Sequence, residues 1–244
     1  MKRFIILLSV LLAFVFLSQS RPVLAQPWPG INQEDRTNEY AEETARVADP
    51  LKSFNRAMFQ FNDKLYYYVL KPVAKGYKAV FPEPVRVSVR NALSNARMPV
   101  RVVNCVLQGK FCHTANELAR FAVNTTFGIA GLFDPAKSYL KIEKHDEDFG
   151  QTLGFYGMKE IIPITWPILG PSNVRDTIGL AGDTFTDPFL YVEPIVTSGT
   201  STLNVLNETS LTLGDYEKFK ESALDPYISL RDAYFQYRRN QIKE

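Results

Sequence analysis

The sequence predicts an all-α protein, and three observations lead to this fold class. Apolar residues recur at three- and four-residue spacing over long segments, which is typical of amphipathic helices. Asp-Pro dipeptides suit helix starts, because Asp is a good N-cap and Pro is favoured in the first turn. They begin at Asp49, Asp134, Asp187 and Asp225. Alternating strand patterns are few, and no regular β-α-β rhythm appears.

The first 25 residues predict a secretory signal peptide. Lys2 and Arg3 precede an apolar run from Phe4 to Leu17, and Val23-Leu24-Ala25 forms a small-residue cleavage site. The run is shorter than the roughly 20 apolar residues of a spanning helix. We therefore expect cleavage after Ala25, with a retained signal anchor as the alternative. No later segment reaches spanning length, so we expect a soluble or peripheral mature protein.

The charge and composition of the remaining chain define its organisation. Removing Lys2, Arg3 and Arg21 leaves 25 basic residues against 26 acidic ones, which argues against a strongly basic nucleic-acid-binding protein. Residues 26–48 are polar and acidic and predict a spacer, because they bury too little apolar area to offset their ordering entropy. The folded domain is expected at 49–244, which is long enough for one sizeable core or two small ones.

The first helix is predicted in "DPLKSFNRAMFQFNDKLYYYVLKP". Its apolar residues recur at helical spacing, and Pro72 is expected to end or kink it. The residues with this spacing are Leu51, Phe54, Met58, Phe61, Leu65 and Tyr68.

Four later segments also have helical patterns. Residues 84–108 predict one or two helices broken near Met98-Pro99, although the alternating valines at 85, 87 and 89 also fit a strand. Residues 113–127 and 172–184 predict helices, the second capped by Ser172. Asp225-Pro226 opens an amphipathic C-terminal helix with basic residues in its final turns.

Cys105 and Cys112 are the only cysteines. In an exported protein they favour a disulfide that closes a small loop around Gly109, worth about 2.5 kcal/mol on the loop-entropy model. Two free thiols or a redox role are the alternatives. No zinc or C-x-x-C pattern is present.

Catalytic patterns are weak. His113 lies beside Cys112, and His145 lies in the acidic segment "KIEKHDEDFG". A Cys-His nucleophile or a cation-binding loop is conceivable there, but a solvated charged loop explains the acidic segment more simply. No P-loop, G-x-G-x-x-G or G-x-S-x-G element occurs. We expect no enzymatic activity, no cofactor and no metal.

Apolar segments punctuated by Gly and Pro are the unusual feature. "FAVNTTFGIAGLFDPA" (121–136) is nearly uncharged and contains two glycines. Gly150, Gly154 and Gly157 form a stripe, if helical, that permits close approach of a backbone or a ligand. The prolines of "IIPITWPILGP" predict an extended apolar loop that carries Trp166. Core filling explains such segments, and so does a surface that contacts lipid or a partner.

Five blocks of the sequence carry a family resemblance. "DPLKSFNRAMFQFND", "FAVNTTFGIAGLFDPA", "FGQTLGFYG", "LGPSNVRD" and "DPYISLRDAYFQ" occur in this order over roughly residues 49–237. They resemble the motif blocks of the MlaA (VacJ) family of outer-membrane proteins.

The resemblance implies a single ring-shaped helical domain with amphipathic helices, lying in the inner leaflet of the Gram-negative outer membrane. A central lipid channel would pass mislocalised phospholipid from the outer membrane to a soluble periplasmic carrier and so maintain lipid asymmetry. A trimeric porin is the expected partner at the membrane. The rivals are a soluble periplasmic lipid carrier, a porin-binding structural adaptor, and a hydrolase built on His145.

The resemblance also suggests site residues. We expect a lipid-channel hinge at Thr126–Phe133, in which Gly128 and Gly131 permit bending. The hinge residues are Thr126, Phe127, Gly128, Ile129, Gly131, Leu132 and Phe133. A family-motif helix carries Asn55, Arg56, Phe59, Phe61 and Asn62, with its aromatics either in the membrane plane or in the core.

Two features depart from the family pattern. Typical members are acylated on a cysteine at the end of the signal peptide, whereas Ala25-Gln26 occupies that place and no cysteine precedes Cys105. We therefore expect an exported protein at the periplasmic face of the outer membrane without an N-terminal lipid anchor. The segment after "LGFYGM" also differs, because "KEIIPI" replaces the family's Gly-Pro-Tyr.

Overall fold

A computed structural model of the protein describes residues 48–243. The expected signal peptide (1–25) and nearly all of the expected spacer (26–48) lie outside the described residues. Within residues 48–243 the regular secondary structure is helical apart from one two-stranded hairpin, which confirms the all-α fold class. None of the helices in this range combines the length and apolarity that crossing a membrane requires.

The elements follow one another along the chain. They are α1 Lys52–Leu65, a π-helical turn Tyr66–Leu70, α2 Lys71–Val80, α3 Glu83–Ala96, α4 Met98–Leu107, α5 Phe111–Thr126, α6 Pro135–Ser138, α7 Phe149–Phe155, β1 Pro163–Trp166, β2 Gly170–Asn173, α8 Val174–Thr186, a 3-10 turn Pro188–Tyr191, α9 Pro194–Leu211, α10 Asp215–Ser222 and α11 Pro226–Lys243.

The predicted helices are present with small changes at their ends. Pro72 does not end the first helix, because it lies in the first turn of α2, where a missing N–H is tolerated. The break near Met98 is confirmed, and the strand alternative for 84–108 is wrong. The cap of α8 is Asn173 rather than Ser172, since the Asn173 Oδ1 accepts from the Asp176 N–H at 2.9 Å.

Three of the four Asp-Pro dipeptides place their Asp at a helix start. Asp134 caps α6, Asp187 caps the 3-10 turn, and the Asp225 carboxylate accepts from the first amides of α11. Asp49 has a different role, because its carboxylate accepts from the Asn55 side chain at 3.0 Å.

The expected apolar loop around Trp166 is an antiparallel hairpin. Trp166 pairs with Gly170 at the turn and Pro163 with Asn173 at the open end. The positive φ of Gly170, 86°, suits a residue without a Cβ. Short strands accept proline at their ends, because no ladder donor is needed there.

Glycine allows α7 and α8 to pack closely. A Cβ on Gly179 of α8 would lie 2.4 Å from the Gly150 nitrogen of α7. Gly154 packs in the same way against Ile242 of α11. Close approach at Gly150 and Gly154 is therefore confirmed, whereas Gly157 lies beyond the end of α7 with a φ of 89°.

The expected Cys105–Cys112 disulfide is wrong. Both cysteines are free: Cys105 is buried on α4 and Cys112 is exposed in the first turn of α5. The turn between them is closed by the backbone instead, since the Lys110 N–H donates to the Cys105 carbonyl at 2.9 Å. Burial raises the pKa of the Cys105 thiol to about 12, so this thiol is a poor nucleophile.

Candidate functional site: an apolar loop beside a polar cavity

A polar cavity of about 590 Å³ lies between α3, α5, α9 and α11. Of the described residues that line it, six are basic, three are acidic and four are asparagines. The basic ones are Arg90, Arg97, Arg101, Arg120, Lys137 and Lys144. A second cavity of about 180 Å³ shares Arg97, Arg101, Asp146 and Tyr237 with the first.

Most of the cavity's cations are neutralised by an acidic partner. The Arg101 Nε lies 2.6 Å from the Glu117 Oε2, and the Arg97 Nε lies 3.3 Å from the Asp187 Oδ2. Such buried pairs offset the cost of taking charge out of water. Arg97 and Arg101 are four residues apart across the start of α4, which places both on the cavity side.

Arg120 joins α5 to the two loop residues Asp134 and Ile142 at the edge of the cavity. Its Nη2 lies 2.7 Å from the Asp134 Oδ2, and a second guanidinium nitrogen bonds the Ile142 carbonyl. The Asn124 Nδ2 donates to the other Asp134 oxygen at 3.0 Å. Arg120 and these hydrogen bonds hold the pKa of Asp134 below its usual value, against the opposing effect of burial.

A buried charge cluster closes the second cavity. The Arg238 guanidinium of α11 bonds Asp148, the cap of α7, at 2.6 and 2.8 Å. It also bonds Asp176 in the first turn of α8 at 3.0 Å. Asp176 accepts further bonds from Arg175 and from the Tyr234 hydroxyl, the latter at 2.5 Å. Despite burial, Arg238 and Arg175 hold the pKa of Asp176 far below its ordinary value.

Asp183 is the weakly neutralised acid of the same cavity. Its Oδ1 accepts from the Asn104 side chain and from the Phe149 N–H, both at 2.9 Å. Burial, and then the nearby Asp148 charge, raise its pKa to about 7.

The apolar loop, residues 126–133, lies at the edge of the larger cavity. Its backbone folds into successive turns, with the Gly131 N–H bonded to the Asn124 carbonyl at 2.9 Å and the Phe133 N–H to the Gly128 carbonyl at 2.9 Å. Its four large apolar side chains point outward. The exposed fractions are 76% for Phe127, 63% for Ile129, 37% for Leu132 and 56% for Phe133.

Cavity-lining residues anchor this loop. The Asn95 Nδ2 donates to the Thr125 Oγ1 at 3.0 Å, and the Asn91 Nδ2 lies 3.4 Å from the Leu132 carbonyl. A Cβ on Gly131 would lie 2.5 Å from the Asn95 Cβ. Because Asn91 and Asn95 also line the cavity, the exposed apolar loop and the polar cavity share one wall.

The two loop glycines have different structural roles. Gly131 has a φ of 89°, a conformation that favours glycine. Gly128 is required by space, because a Cβ there would lie 2.4 Å from the Asn124 carbonyl oxygen. Ile129 and Ala130 also have positive φ, near 53° and 54°, which concentrates backbone strain in this loop. That the loop acts as a hinge stays a prediction.

The family-motif helix α1 uses its asparagines to hold the hairpin. Asn55 bonds the Pro163 carbonyl at 2.9 Å and the Thr165 N–H at 2.8 Å. Seven residues later, Asn62 bonds the Trp166 carbonyl at 2.8 Å and the Ile168 N–H at 2.7 Å. Both asparagines are buried, and each amide serves the backbone as a neighbouring strand would.

The other motif residues of α1 lie elsewhere. Arg56 bonds Asp225 and stacks 5.1 Å over the Tyr227 ring, and Phe59 meets the same ring edge-on at 6.1 Å. Phe61, in contrast, is 46% exposed. The residues of this sequence motif therefore contact three different partners, which are the hairpin, Asp225 and the Tyr227 ring, while Phe61 faces outward.

The two histidines are stacked, with ring centroids 3.8 Å apart. Cys112 is exposed on α5, the helix that also carries His113. The acids near His145 bind cations of the protein: Asp146 pairs with Lys144 at 2.7 Å and Glu147 with Lys110 at 2.7 Å. Among residues 48–243 there is no group of three or more His, Cys, Asp or Glu suited to a metal ion.

Large apolar side chains are exposed over much of the described surface. Four of the six residues with helical apolar spacing at the start of the domain are among them, Leu51, Phe54, Phe61 and Tyr68. The most exposed side chains include Tyr68, Val80, Phe111, Phe127, Tyr139, Tyr156, Phe185, Tyr191 and Ile195. An apolar surface of this extent marks a protein or membrane contact.

Comparison with known proteins identifies the family. The family model of the MlaA lipoprotein matches residues 47–241. The chain belongs to the MlaA lipoprotein family. A relative from Rickettsia felis, described only as an uncharacterized protein, is 30% identical over 243 residues, or 99% of this chain and 95% of that protein.

Other relatives carry a functional name. The intermembrane phospholipid transport system lipoprotein MlaA of Escherichia coli (strain K12) is 33% identical over 192 residues, which cover 78% of this chain and 76% of that protein. The protein of the same name from Haemophilus influenzae is 30% identical and covers 82% and 81%, respectively.

A solved structure agrees with the fold. It was reported as the structural basis for maintenance of bacterial outer membrane lipid asymmetry. It matches with a TM-score of 0.72 at 33% identity, covering 80% of this chain and 99% of that one. This match agrees with the helical ring fold expected from the family motifs.

Proposed function

We propose that this protein takes mislocalised phospholipid from the outer membrane and passes it to a soluble periplasmic carrier. The observation that carries the proposal is the shared wall between an exposed apolar loop and a polar cavity. The names of the curated relatives, which are components of an intermembrane phospholipid transport system, support the same substrate.

The chemistry of the substrate requires two surfaces. Exposing acyl chain to water costs about 0.8 kcal/mol per methylene, or about 12 kcal/mol for a 16-carbon chain. A transporter must therefore cover the chains with apolar surface while the headgroup crosses a wet path. In this proposal Phe127, Ile129 and Phe133 contact acyl chains, and the polar cavity admits the headgroup.

The exposed apolar side chains support a position in the membrane. We place the described domain in the inner leaflet of the outer membrane, at its periplasmic face, with a trimeric porin beside it. The residues in which signal peptide cleavage and any acyl anchor would be found lie outside the described range. The exposure of apolar side chains such as Phe61 and Phe127 supports attachment to the membrane through them.

The proposal is tested at the loop glycines. Gly131→Val introduces a Cβ at a position of positive φ, 2.5 Å from the Asn95 Cβ, and so displaces the loop from the cavity wall. Gly128→Pro alters the same loop. We expect either variant to abolish clearance of phospholipid from the outer leaflet. The measurement is enzymatic labelling of surface phospholipid in cells whose only MlaA-family protein is the variant.

Gly76→Val is the matched control, because nothing lies within 4 Å of a Cβ at this position of α2. It should leave clearance intact. All variants must reach the outer membrane in normal amount. Normal clearance by a well-localised Gly131→Val protein would contradict the proposal.

A further inference from the structure

We propose that Arg90 binds the phosphate group of the phospholipid inside the polar cavity. This inference rests on the proposed function and names the headgroup contact. Arg90 lies on α3, lines the cavity and is half-buried. Among residues 48–243 it has neither a hydrogen-bond nor an ion-pair partner, which separates it from the cavity's other arginines.

The remaining cations of the cavity already have acidic partners. Arg97 pairs with Asp187, Arg101 with Glu117 and Arg120 with Asp134. The two lysines are also paired, Lys137 with Glu143 and Lys144 with Asp146. The third acid of the wall, Glu208, has a partner of its own. Arg90 is thus the cation whose charge the described part of the protein leaves unbalanced.

Its neighbour on the same helix shows what a structural arginine does here. Arg86, one turn earlier, is buried, and its guanidinium bonds the backbone: the Nη1 donates to the Ser210 carbonyl at 2.6 Å and the Nε donates to the Phe81 carbonyl at 3.1 Å. Arg86 joins α3 to α9, whereas Arg90 points its charge at the cavity. The fold therefore holds α3 and α9 together without Arg90.

The chemistry of guanidinium selects the ligand. Arginine keeps its charge at every physiological pH and presents a planar fork that matches two phosphate oxygens. The neutral side chains of Ser94 and Asn204 line the same cavity and can donate further hydrogen bonds.

The apolar loop favours the phosphate of a lipid over free inorganic phosphate. Asn91 follows Arg90 directly, and its amide is 3.4 Å from the Leu132 carbonyl of the loop. A lipid whose chains lie on the exposed Phe127 and Phe133 can thus present its phosphate on the cavity side of the same wall. Free inorganic phosphate has the same recognition chemistry but gains nothing from the loop.

The test compares three probes on the full chain in nonionic detergent, by calorimetric titration. Dihexanoyl phosphatidylglycerol has chains and phosphate, dihexanoylglycerol has chains alone, and inorganic phosphate has no chains. We expect Arg90→Gln to weaken binding of the phosphatidylglycerol by roughly ten- to a hundredfold. Binding of dihexanoylglycerol should not change.

Two further variants control for charge and for folding. Lys75→Gln removes one positive charge from an exposed position of α2 outside the cavity and should leave all three affinities unchanged. Arg90→Lys keeps the charge but loses the fork, so we expect an intermediate affinity. Arg90→Lys also tests the role of the Arg90 guanidinium if Arg90→Gln does not fold.

The possible results distinguish the role of Arg90 from lipid binding by the protein as a whole. Equal affinity of the native chain and Arg90→Gln for phosphatidylglycerol overturns the role of Arg90 and leaves lipid binding intact. If neither lipid binds the native chain, the lipid function itself is wrong, and so is the headgroup contact. Arg90-dependent binding of inorganic phosphate alone would support a phosphate site but overturn its lipid source.

Discussion

The first and last helices of the domain bury opposite kinds of side chain. On α11 the buried residues include Tyr227, Leu230 and Phe235, as expected for a helix against a core. On α1 the buried residues are Asn55 and Asn62, while Phe54 and Phe61 are exposed. The same amphipathic pattern is thus turned inward at one end of the chain and outward at the other.

The difference teaches that periodicity locates a helix but does not say which stripe is buried. In water the apolar stripe faces the core, because each Å² of apolar surface that is buried stabilises the fold by about 25 cal/mol. Next to lipid the apolar stripe can stay outside, and the interior can be built from hydrogen-bonded polar groups. Much of this protein's interior is of the second kind, as the buried arginines, asparagines and acids show.

The largest effect that would test this polar interior is expected at Arg238. Arg238→Met leaves the buried carboxylate of Asp176 and the partly exposed carboxylate of Asp148 without their shared cation. Breaking a buried pair by removing one partner costs about 3–5 kcal/mol. We expect a loss of this size in the unfolding free energy, measured by urea titration at pH 7.

The control for Arg238 is an exposed ion pair. Lys218 lies 4.0 Å from Asp215 on the surface of α10, and Lys218→Met should change the unfolding free energy by less than about 1 kcal/mol. Similar small losses for both variants would show that the interior does not depend on the Arg238 cluster.

A smaller effect, with the opposite sign, is expected at Asp183. Its folded pKa is raised to about 7 from 3.8. Between about pH 4 and 7 the folded protein keeps a proton that the unfolded chain has released, so stability falls as pH rises. Below this range the penalty is absent, and above it the penalty is complete.

Asp183→Asn removes that titration while keeping an oxygen acceptor for Asn104 and Phe149. The rise from 3.8 to about 7 corresponds to about 4 kcal/mol at about 1.4 kcal/mol per pKa unit. Because Asp183 is partly exposed, solvent screening lowers this value, and we expect the variant to be more stable than the native chain at pH 8 by on the order of 3 kcal/mol. At pH 4 the two should be nearly equal. Urea titrations at both pH values measure this, and a stability difference that does not change with pH would contradict the raised pKa.

Several features were predictable because they follow from local rules. The helix of "DPYISLRDAYFQYRR" and the break at Met98-Pro99 follow from spacing and proline chemistry. The apolar loop was selected as a candidate site because glycine and apolar residues alternate there. Its exposure agrees with that choice, although its hinge role stays a prediction.

Other features depend on contacts that are distant in the chain. Asn55 meets the hairpin 108 residues later, and Arg238 meets Asp148 across 90 residues. The disulfide was wrong because spacing and compartment say nothing about side-chain direction, which places Cys105 inside and Cys112 outside. The arginines at 90, 97 and 101 did leave a signal, a basic stripe at helical spacing in "VRNALSNARMPVR".

Two adjacent residues of α1 test the central claim most directly. Asn62→Leu breaks the buried bonds to the Trp166 carbonyl and the Ile168 N–H, so we expect a loss of about 2 kcal/mol in unfolding free energy. Phe61→Ser removes an outward apolar side chain, so we expect about 1 kcal/mol or less in detergent but roughly tenfold weaker binding to phospholipid vesicles.

The measurement is a pair of assays on each protein, urea unfolding in detergent and flotation with vesicles, with the exposed Gln60→Ser as the control. The polar-inside, apolar-outside account predicts that Asn62→Leu loses stability and that Phe61→Ser loses vesicle binding. A Phe61→Ser protein that unfolds easily yet binds vesicles normally would contradict it, because Phe61 would then belong to a core.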